Sequence, residues 1–161
     1  ILTGCKSNFS TFKEISCPDI FFSNEHKNYI AGNQQSLSIE DLSFKASINN
    51  FQYNGKCLSN DESFKSQISI LFVIEPNNSK TGDFQLPYYV ALADTNDNLI
   101  DIQFFKVNGK LEIDKKKKKY LETELIDLIN LETQMNKSQL ESDKYIVIGF
   151  MLDREKLNLL N

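Results

Sequence analysis

The chain has 161 residues, of which 40% are hydrophobic and 25% charged, so its length and composition predict one folded domain rather than a disordered chain. Its formal net charge of −4 argues against nucleic acid as a partner, since nucleic-acid-binding surfaces are strongly basic. No stretch approaches the roughly 20 apolar residues that a membrane-spanning helix needs.

The first cysteine lies in a short motif typical of bacterial lipoproteins. Residues 2–5 read Leu-Thr-Gly-Cys, which matches a lipobox: a leucine and two small residues precede the cysteine that receives a diacylglycerol group. Because the chain does not begin with Met, we expect a signal peptide upstream, with residues 1–4 as its remnant. Cys5 is therefore the predicted lipidation site, and several acyl chains such as palmitate would anchor it stably to a membrane. Residues 5–16 are the predicted lipidated tether.

The other two cysteines, Cys17 and Cys57, form an even pair in what would be an oxidising compartment. A disulfide between them would close a loop of about 40 residues and stabilise the fold by roughly 4 kcal/mol in the chain-entropy model. Two free buried thiols are the alternative. Neither cysteine belongs to a CxxC motif and the only histidine is His26, so no metal site and no cofactor are predicted.

Residues 17–161 are predicted to fold as a single domain of short strands. Apolar runs and alternating apolar and polar residues mark the strand segments 17–23, 43–53, 64–75, 87–94, 99–107 and 145–152. The dipeptides Asn54-Gly55 and Asn108-Gly109 predict tight turns, and residues 95–98 are expected to join a hairpin.

Three further segments are less regular in pattern. Residues 26–42 are polar with a Gly-Asn turn signal, and residues 123–132 fit a short helix as well as a strand. Residues 154–161 are expected to form a short helix capped by Asp153. Seven to eight strands with helices confined to the ends predict an all-β fold, an immunoglobulin-like antiparallel β-sandwich with a short C-terminal helix.

Two polar clusters suggest sites that the sequence explains more simply. Asp94, Asn96, Asn98 and Asp101 offer oxygens as a calcium loop does, but Asn and Asp are also ordinary turn residues between two strands. The basic run from Lys115 to Lys119 could meet an anionic headgroup or envelope polymer, and a solvated loop is the alternative. Motifs such as GxSxG, HExxH or a phosphate-binding glycine loop do not occur, so no catalytic residue is predicted.

Two stretches resemble the signature segments of a small alphaproteobacterial lipoprotein family of unassigned function: LPYYVALAD (86–94) and KYIVIGFMLDREKLNLLN (144–161). Cys17-Pro18 and Cys57 are similar to a Cys-Pro after the lipobox and a mid-chain cysteine in that family. The chain departs from the family pattern at Met151 and in residues 159–161, which replace a Tyr-Asn-Arg end. The resemblance implies a lipoprotein on the periplasmic face of the outer membrane and implies no mechanism.

The sequence is therefore consistent with three functions. The first is a non-enzymatic scaffold or accessory subunit of an envelope protein complex, for which the possible interaction surface is Tyr88, Tyr89, Leu157, Leu159 and Leu160. The second is a binder of a small apolar or glycan ligand between the sheets, which needs an apolar pocket with a few polar groups. The third is an enzyme, which would need buried carboxylates clustered in one cleft.

Overall fold

The computed structural model describes residues 11–32, 42–77 and 82–160, in which two β-sheets pack face to face. Cys5 lies outside these ranges. The strands are β1 (Lys13–Ile15), β2 (Asp19–Phe22), β3 (Asn28–Gly32), β4 (Leu42–Tyr53), β5 (Cys57–Ser59), β6 (Ser63–Pro76), β7 (Asp83–Asp94), β8 (Leu99–Lys110), β9 (Ile113–Asp114), β10 (Lys119–Tyr120), β11 (Thr123–Gln134) and β12 (Lys144–Phe150). The helices are α1 (Lys137–Glu141) and α2 (Arg154–Leu160).

Each sheet is centred on long antiparallel strands. Sheet A runs β1-β5-β6-β4-β3 and adds β11 on the free side of β6. The strands β4 and β5 follow one another along the same side of β6. Sheet B runs β2-β12-β7-β8, and the two-residue strands β9 and β10 form a separate small hairpin. The edge strands of the two sheets, β11 and β8, approach each other where Gln103 Nε2 donates to the Glu132 carbonyl at 2.9 Å.

The predicted all-β sandwich is confirmed. Among the described residues, eight strands have four or more residues, which agrees with the seven to eight strands predicted. β2 runs parallel to β12, so sheet B is mixed rather than purely antiparallel. The strand order also differs from that of immunoglobulin domains, which place strands ABED in one sheet and CFG in the other.

The structure decides the ambiguous segment and corrects two others. Residues 123–132 are strand, because β11 pairs with β6 along its whole length, from Thr123 opposite Ile74 to Gln134 opposite Ser63. The predicted tether is wrong at its end, since β1 pairs with β5 and is part of sheet A. Residues 28–32 of the polar segment form β3. The C-terminal helix is present, and the predicted cap is confirmed because Asp153 Oδ1 accepts from the Lys156 amide at 2.9 Å.

Neither Asn-Gly dipeptide forms the predicted tight turn. Asn54-Gly55 interrupts a chain that continues in the same direction from β4 to β5, and Gly55 there has φ +87°. Gly109 lies inside β8 opposite Phe84, whose ring occupies the space of a side chain: a Cβ on Gly109 would lie 2.2 Å from Phe84 Cζ. Both glycines are therefore explained by local packing or backbone conformation within a sheet.

The inner faces of both sheets share one apolar core. Phe72 of sheet A packs against Tyr88 and Phe150 of sheet B, with ring centroids 5.1 and 5.7 Å apart. The Tyr88 ring is fully buried, and its Oη donates to Asp127 Oδ2 at 2.5 Å, which links β7 of sheet B to β11 of sheet A. Large side chains thus fill the space between the sheets, where a bound ligand would have to displace them.

Candidate functional site: the apolar outer face of sheet B

Sheet B carries apolar side chains on both of its faces. Along β7, Leu86, Tyr88, Val90 and Leu92 are at most 1% exposed and point into the core. Because side chains alternate along a strand, the intervening residues 87, 89, 91 and 93 point outward, and they are Pro, Tyr, Ala and Ala. An outer face exposed to water normally carries polar residues at these positions, so this sheet has the composition of one covered on both sides.

The pairing register extends this apolar surface across the whole sheet. Ala91 lies between Val147 and Ile102, and Val147 lies beside Phe21, so one row crosses all four strands. Residues directly opposite each other share a face, and the rows on either side are built in the same way. The apolar face, as we call it, consists of Phe21, Tyr89, Ala91, Leu99, Ile102, Phe104, Tyr145, Val147 and Met151.

Several of these apolar side chains are largely exposed to water, which is unfavourable for side chains of this size. Phe104 is 62% exposed, Leu99 60% and Phe21 55%. Single exposed apolar residues are common on protein surfaces, whereas a contiguous set on one sheet face marks an interaction site. The arrangement offers contact area and aromatic edges for binding.

Tyr89 is fixed in place on the apolar face by a glycine beneath it. A Cβ on Gly149 would lie 2.6 Å from Tyr89 Oη and 2.8 Å from the Cβ of His26, so only glycine leaves room for both side chains. His26 packs against Tyr89 edge to face at 5.8 Å between centroids, and its Nδ1 lies 3.1 Å from the Phe150 carbonyl oxygen. His26 is thus engaged in packing and in a backbone contact.

One end of the apolar face is acidic. The Tyr145 hydroxyl donates to Asp97 Oδ1 at 2.6 Å, and this hydrogen bond raises the pKa of Tyr145. Asp94 Oδ1 accepts from the amides of Asn96 and Asn98, each at 2.9 Å, and the hydrogen bonds with Asn98 contribute most to lowering the pKa of Asp94. Asp19 lies beside Tyr145 on β2. The β7–β8 turn and the start of β2 therefore place three carboxylates at this end, those of Asp94, Asp97 and Asp19.

The calcium alternative for this turn is not supported. Asp94 caps the turn itself, whereas Asp101 Oδ2 accepts from Thr133 Oγ1 at 3.1 Å and from Gln103 Nε2 at 3.0 Å. The described ranges hold no group of three His, Cys, Asp or Glu residues that could hold a metal ion. The interpretation of residues 94–98 as a hairpin turn is confirmed by the antiparallel pairing of β7 with β8.

The predicted disulfide is present in the structure. Cys17 and Cys57 are bonded, with Cα atoms 5.2 Å apart, and they join the segment between β1 and β2 to β5. Since β1 belongs to sheet A and β2 to sheet B, the bond fixes the chain where it passes between the sheets. Cys5, the predicted lipidation site, lies outside the described residues.

The residues predicted to form an interaction surface lie in different parts of the structure. The prediction that Tyr88 lies on the interaction surface is wrong, because this residue faces the core and its ring is fully buried. Tyr89 is half-buried on the apolar face, and its role as a contact residue stays a prediction. Leu157 and Leu160 are half-buried in α2, which packs beside β3, and the side chain of Leu159 lies outside the described part.

A groove of about 350 Å³ lies next to Leu160, lined in part by Tyr29, Leu42 and Lys45. Lys156 holds α2 beside it, with Nζ 2.8 Å from Tyr29 Oη and 4.3 Å from the ring centroid. The groove lies at β3, β4 and β6 of sheet A, away from the apolar face, and its lining includes Lys45 and Glu75, which lie opposite each other on β4 and β6.

The basic run lies at the turn of the small β9–β10 hairpin. All of its lysine side chains are exposed. Asp114 Oδ1 accepts from the amides of Lys116 and Lys117 at 2.9 and 3.3 Å, and Lys118 has φ +52°. The run is therefore an exposed turn shaped by the acidic residue before it.

Sequence reasoning missed most of the apolar face, including Phe21, Leu99, Ile102 and Phe104. The available signal was the stretch LIDIQFF, in which apolar residues occupy both phases of a strand. None of the helices in the described ranges is long and apolar enough to cross a membrane. The chain matches no protein-family model, and comparisons with curated proteins and with solved structures found no match either.

Proposed function

We propose that this protein is a lipoprotein of the bacterial outer membrane, anchored on the periplasmic side, and that it acts as a non-enzymatic scaffold or accessory subunit of an envelope protein assembly. The apolar face of sheet B is the observation that carries this proposal. A sheet with apolar side chains on both sides favours a covered state, and protein interfaces are rich in Phe, Tyr and Met.

The chemistry of the described residues supports a binding role over a catalytic one. The one histidine packs against Tyr89 and contacts a backbone carbonyl oxygen. Asp127 accepts a hydrogen bond from the core residue Tyr88. Asp94 accepts hydrogen bonds within the β7–β8 turn, and Asp101 accepts one from Thr133 of β11 in sheet A. These carboxylates therefore serve the structure of the sandwich.

The proposed anchor would keep the domain close to the membrane. Residues 6–12 separate Cys5 from β1, and even a fully extended chain of that length spans only about 25 Å. The disulfide from Cys17 then fixes the start of sheet B to sheet A. A short tether of this kind raises the local concentration of the domain near other membrane-bound proteins.

Co-purification from gently solubilised native membranes tests this function. A C-terminal tag would be used on the wild type, on Phe104→Asp, and on Ile126→Asp as a matched control, since Ile126 is 66% exposed on the outer face of sheet A. We expect a stoichiometric envelope protein with the wild type and with the control, and its loss with Phe104→Asp.

Two results would contradict the proposal. Recovery of the protein in the soluble fraction of the native host would exclude the proposed lipid anchor. A lone monomer that survives mild detergent without any partner would remove the scaffold role, and extraction of a small molecule from that monomer would favour the ligand-binding alternative.

A further inference from the structure

We infer that the apolar face binds the same face of a second copy of this chain, in a two-fold dimer. This rests on the proposed function and deepens it: the second copy covers the apolar face, and the envelope protein binds the resulting dimer, so Phe104→Asp releases that protein by dissociating the dimer. Most soluble oligomers are symmetric homo-oligomers, and a two-fold interface requires a patch that is complementary to itself. The apolar face has this property in the arrangement of both its side chains and its charges.

Two sheet faces can meet in this way about a two-fold axis that lies in the interface, perpendicular to the strands. Such an axis places β8 of one copy along β8 of the other and reverses the order of the rows. The row of Leu99 and Tyr145 then lies opposite the row of Pro87 and Met151, and the central rows of Ile102 and Phe104 interdigitate. Sheets packed face to face are about 10 Å apart, which suits rows of Phe and Ile side chains.

The charges at the two ends of the face fit this arrangement. Asp97 lies over Tyr145 at one end, and Lys106, opposite Pro87, lies on the outer face at the other end. Six paired positions of β8 separate the two rows, which is roughly 20 Å at the rise of a strand. The two-fold axis brings Lys106 of each copy to Asp97 of its neighbour. Within the described ranges Lys106 has no ion pair of its own.

The area of the face is sufficient for a specific complex. Four of its large side chains, Phe21, Leu99, Phe104 and Met151, are between 43% and 62% exposed. With their half-buried neighbours they present on the order of 600–700 Å² per copy, close to the about 800 Å² that each partner contributes to a standard interface. A second copy also covers the face over its full width of four strands, which a single partner helix about 10 Å across does not.

The test is the mass of the full chain in solution as a function of concentration, with Cys5→Ser to remove the lipid. Light scattering after size exclusion should give a dimer for this chain and for the matched control Ile126→Asp. Phe104→Asp should raise the dimer dissociation constant by about 100-fold or more, since a buried central carboxylate would have no partner. A monomer at every concentration would overturn the inference.

Charge reversal tests the symmetry itself. In a homodimer of Lys106→Glu, the new carboxylate faces Asp97 of the other copy at both ends. In a homodimer of Asp97→Lys, the new ammonium group faces Lys106 of the other copy. Each variant should therefore raise the dimer dissociation constant by about 10-fold or more. In an equimolar mixture, the mixed dimer sets a carboxylate against an ammonium group at both ends, so association should be restored. Asp97→Asn, which retains an acceptor for Tyr145, serves as the control and should show a smaller loss. Failure of the mixture to restore association would overturn this orientation.

The two proposals fail in different ways. If the isolated chain is monomeric while Phe104→Asp still loses an envelope protein from native membranes, the second copy is excluded and the scaffold stands. If the dimer forms and the charge-reversal mixture restores it, but no envelope protein co-purifies, the dimer stands and the scaffold role is excluded.

Discussion

The outer faces of the two sheets differ in how they meet water. On sheet A, cross-strand polar pairs join β6 to β11: Lys65 lies 3.5 Å from Glu132, and Gln67 Nε2 donates to Asn130 Oδ1 at 2.9 Å. On sheet B the equivalent cross-strand pairs are Ala91 with Ile102 and Tyr89 with Phe104. Sheet A therefore follows the usual rule of an apolar inner and a polar outer face, and sheet B does not.

This difference identifies the outer face of sheet B as the surface best suited to binding. Sheet A has exposed apolar residues too, Ile126 and Leu128 of β11. Ile126 lies opposite Leu71 on β6, but Leu128 lies opposite Ser69, and the next strand, β4, places Asn50 and Gln52 beside them. On sheet B the apolar residues continue over all four strands and include two contacting rings, Phe21 and Tyr145, 6.0 Å apart. Continuity across strands, rather than the presence of exposed apolar residues, distinguishes an interaction face from ordinary surface.

Removing the disulfide should have the largest effect, and it should affect the short strands on either side of Cys17, one in each sheet, more than the central strands. Cys17→Ser with Cys57→Ser should lower the free energy of unfolding by about 4 kcal/mol, because the bond closes a loop of 40 residues in sequence separation. β1 and β2 flank Cys17 and are joined to their sheets by only three and four residue pairs, so amide exchange should rise first in these two strands.

Chemical denaturation and hydrogen exchange measure these two effects. The central strand β4 of sheet A is the internal reference, since it pairs with both β3 and β6. Equal exchange in β2 and β4 would show that the bond does not protect the edge of the apolar face selectively.

Gly149→Ala should have an intermediate effect that is confined to sheet B. The added Cβ would lie 2.6 Å from Tyr89 Oη and 2.8 Å from the Cβ of His26, so the Tyr89 ring must move off β12. We expect a loss of about 2 kcal/mol in the free energy of unfolding, as is typical of overpacking. In the double variant with Tyr89→Ala, the glycine substitution should cost less, because the clashing ring is gone. Additive losses in urea titrations would exclude this contact.

The sandwich was predictable from the sequence because its long strands carry the signals of strands. FKSQISILFVIE alternates apolar and small polar residues and ends at Pro76, and it forms the central strand β6. The segment at 123–132 was ambiguous because Leu125, Ile126, Leu128 and Ile129 fit both periods. Only its pairing with β6 decides for strand, and pairing between residues about 60 positions apart is not visible in a local pattern.

The apolar face was largely missed for a related reason. A strand with apolar residues in both phases indicates burial on both sides, but it does not show which residues face the core. Tyr88 and Tyr89 are adjacent and of the same type, yet one is fully buried and the other lies on the outer face. The two Asn-Gly dipeptides led to a wrong prediction of tight turns. Gly109, for example, makes room for the Phe84 ring within a strand.

Tyr88→Phe should have the smallest effect at neutral pH, and it tests the side-chain hydrogen bond between β7 and β11. The loss of the Tyr88 hydroxyl leaves Asp127 without its donor, which should cost about 1 kcal/mol. Burial, and then the hydrogen bond to Asp127, raise the pKa of Tyr88 above its ordinary value of 10.0. A phenol whose pKa is raised by folding contributes stability that is present below the unfolded pKa and is lost as pH rises toward the folded one.

The free energy of unfolding of the wild type should therefore fall between about pH 8 and about pH 11, because Tyr88 ionises in the unfolded state and stays protonated in the folded state. In the Tyr88→Phe variant it should fall less. Tyr53→Phe is the matched control within sheet A, because burial also raises the pKa of Tyr53 and its Oη donates to the Pro18 carbonyl at 2.6 Å. Urea unfolding at both pH values gives the difference directly. If Tyr88→Phe and the wild type lose stability equally, the contact between the sheets does not depend on the Tyr88 proton. The two sheets are then held together by apolar packing alone at this point.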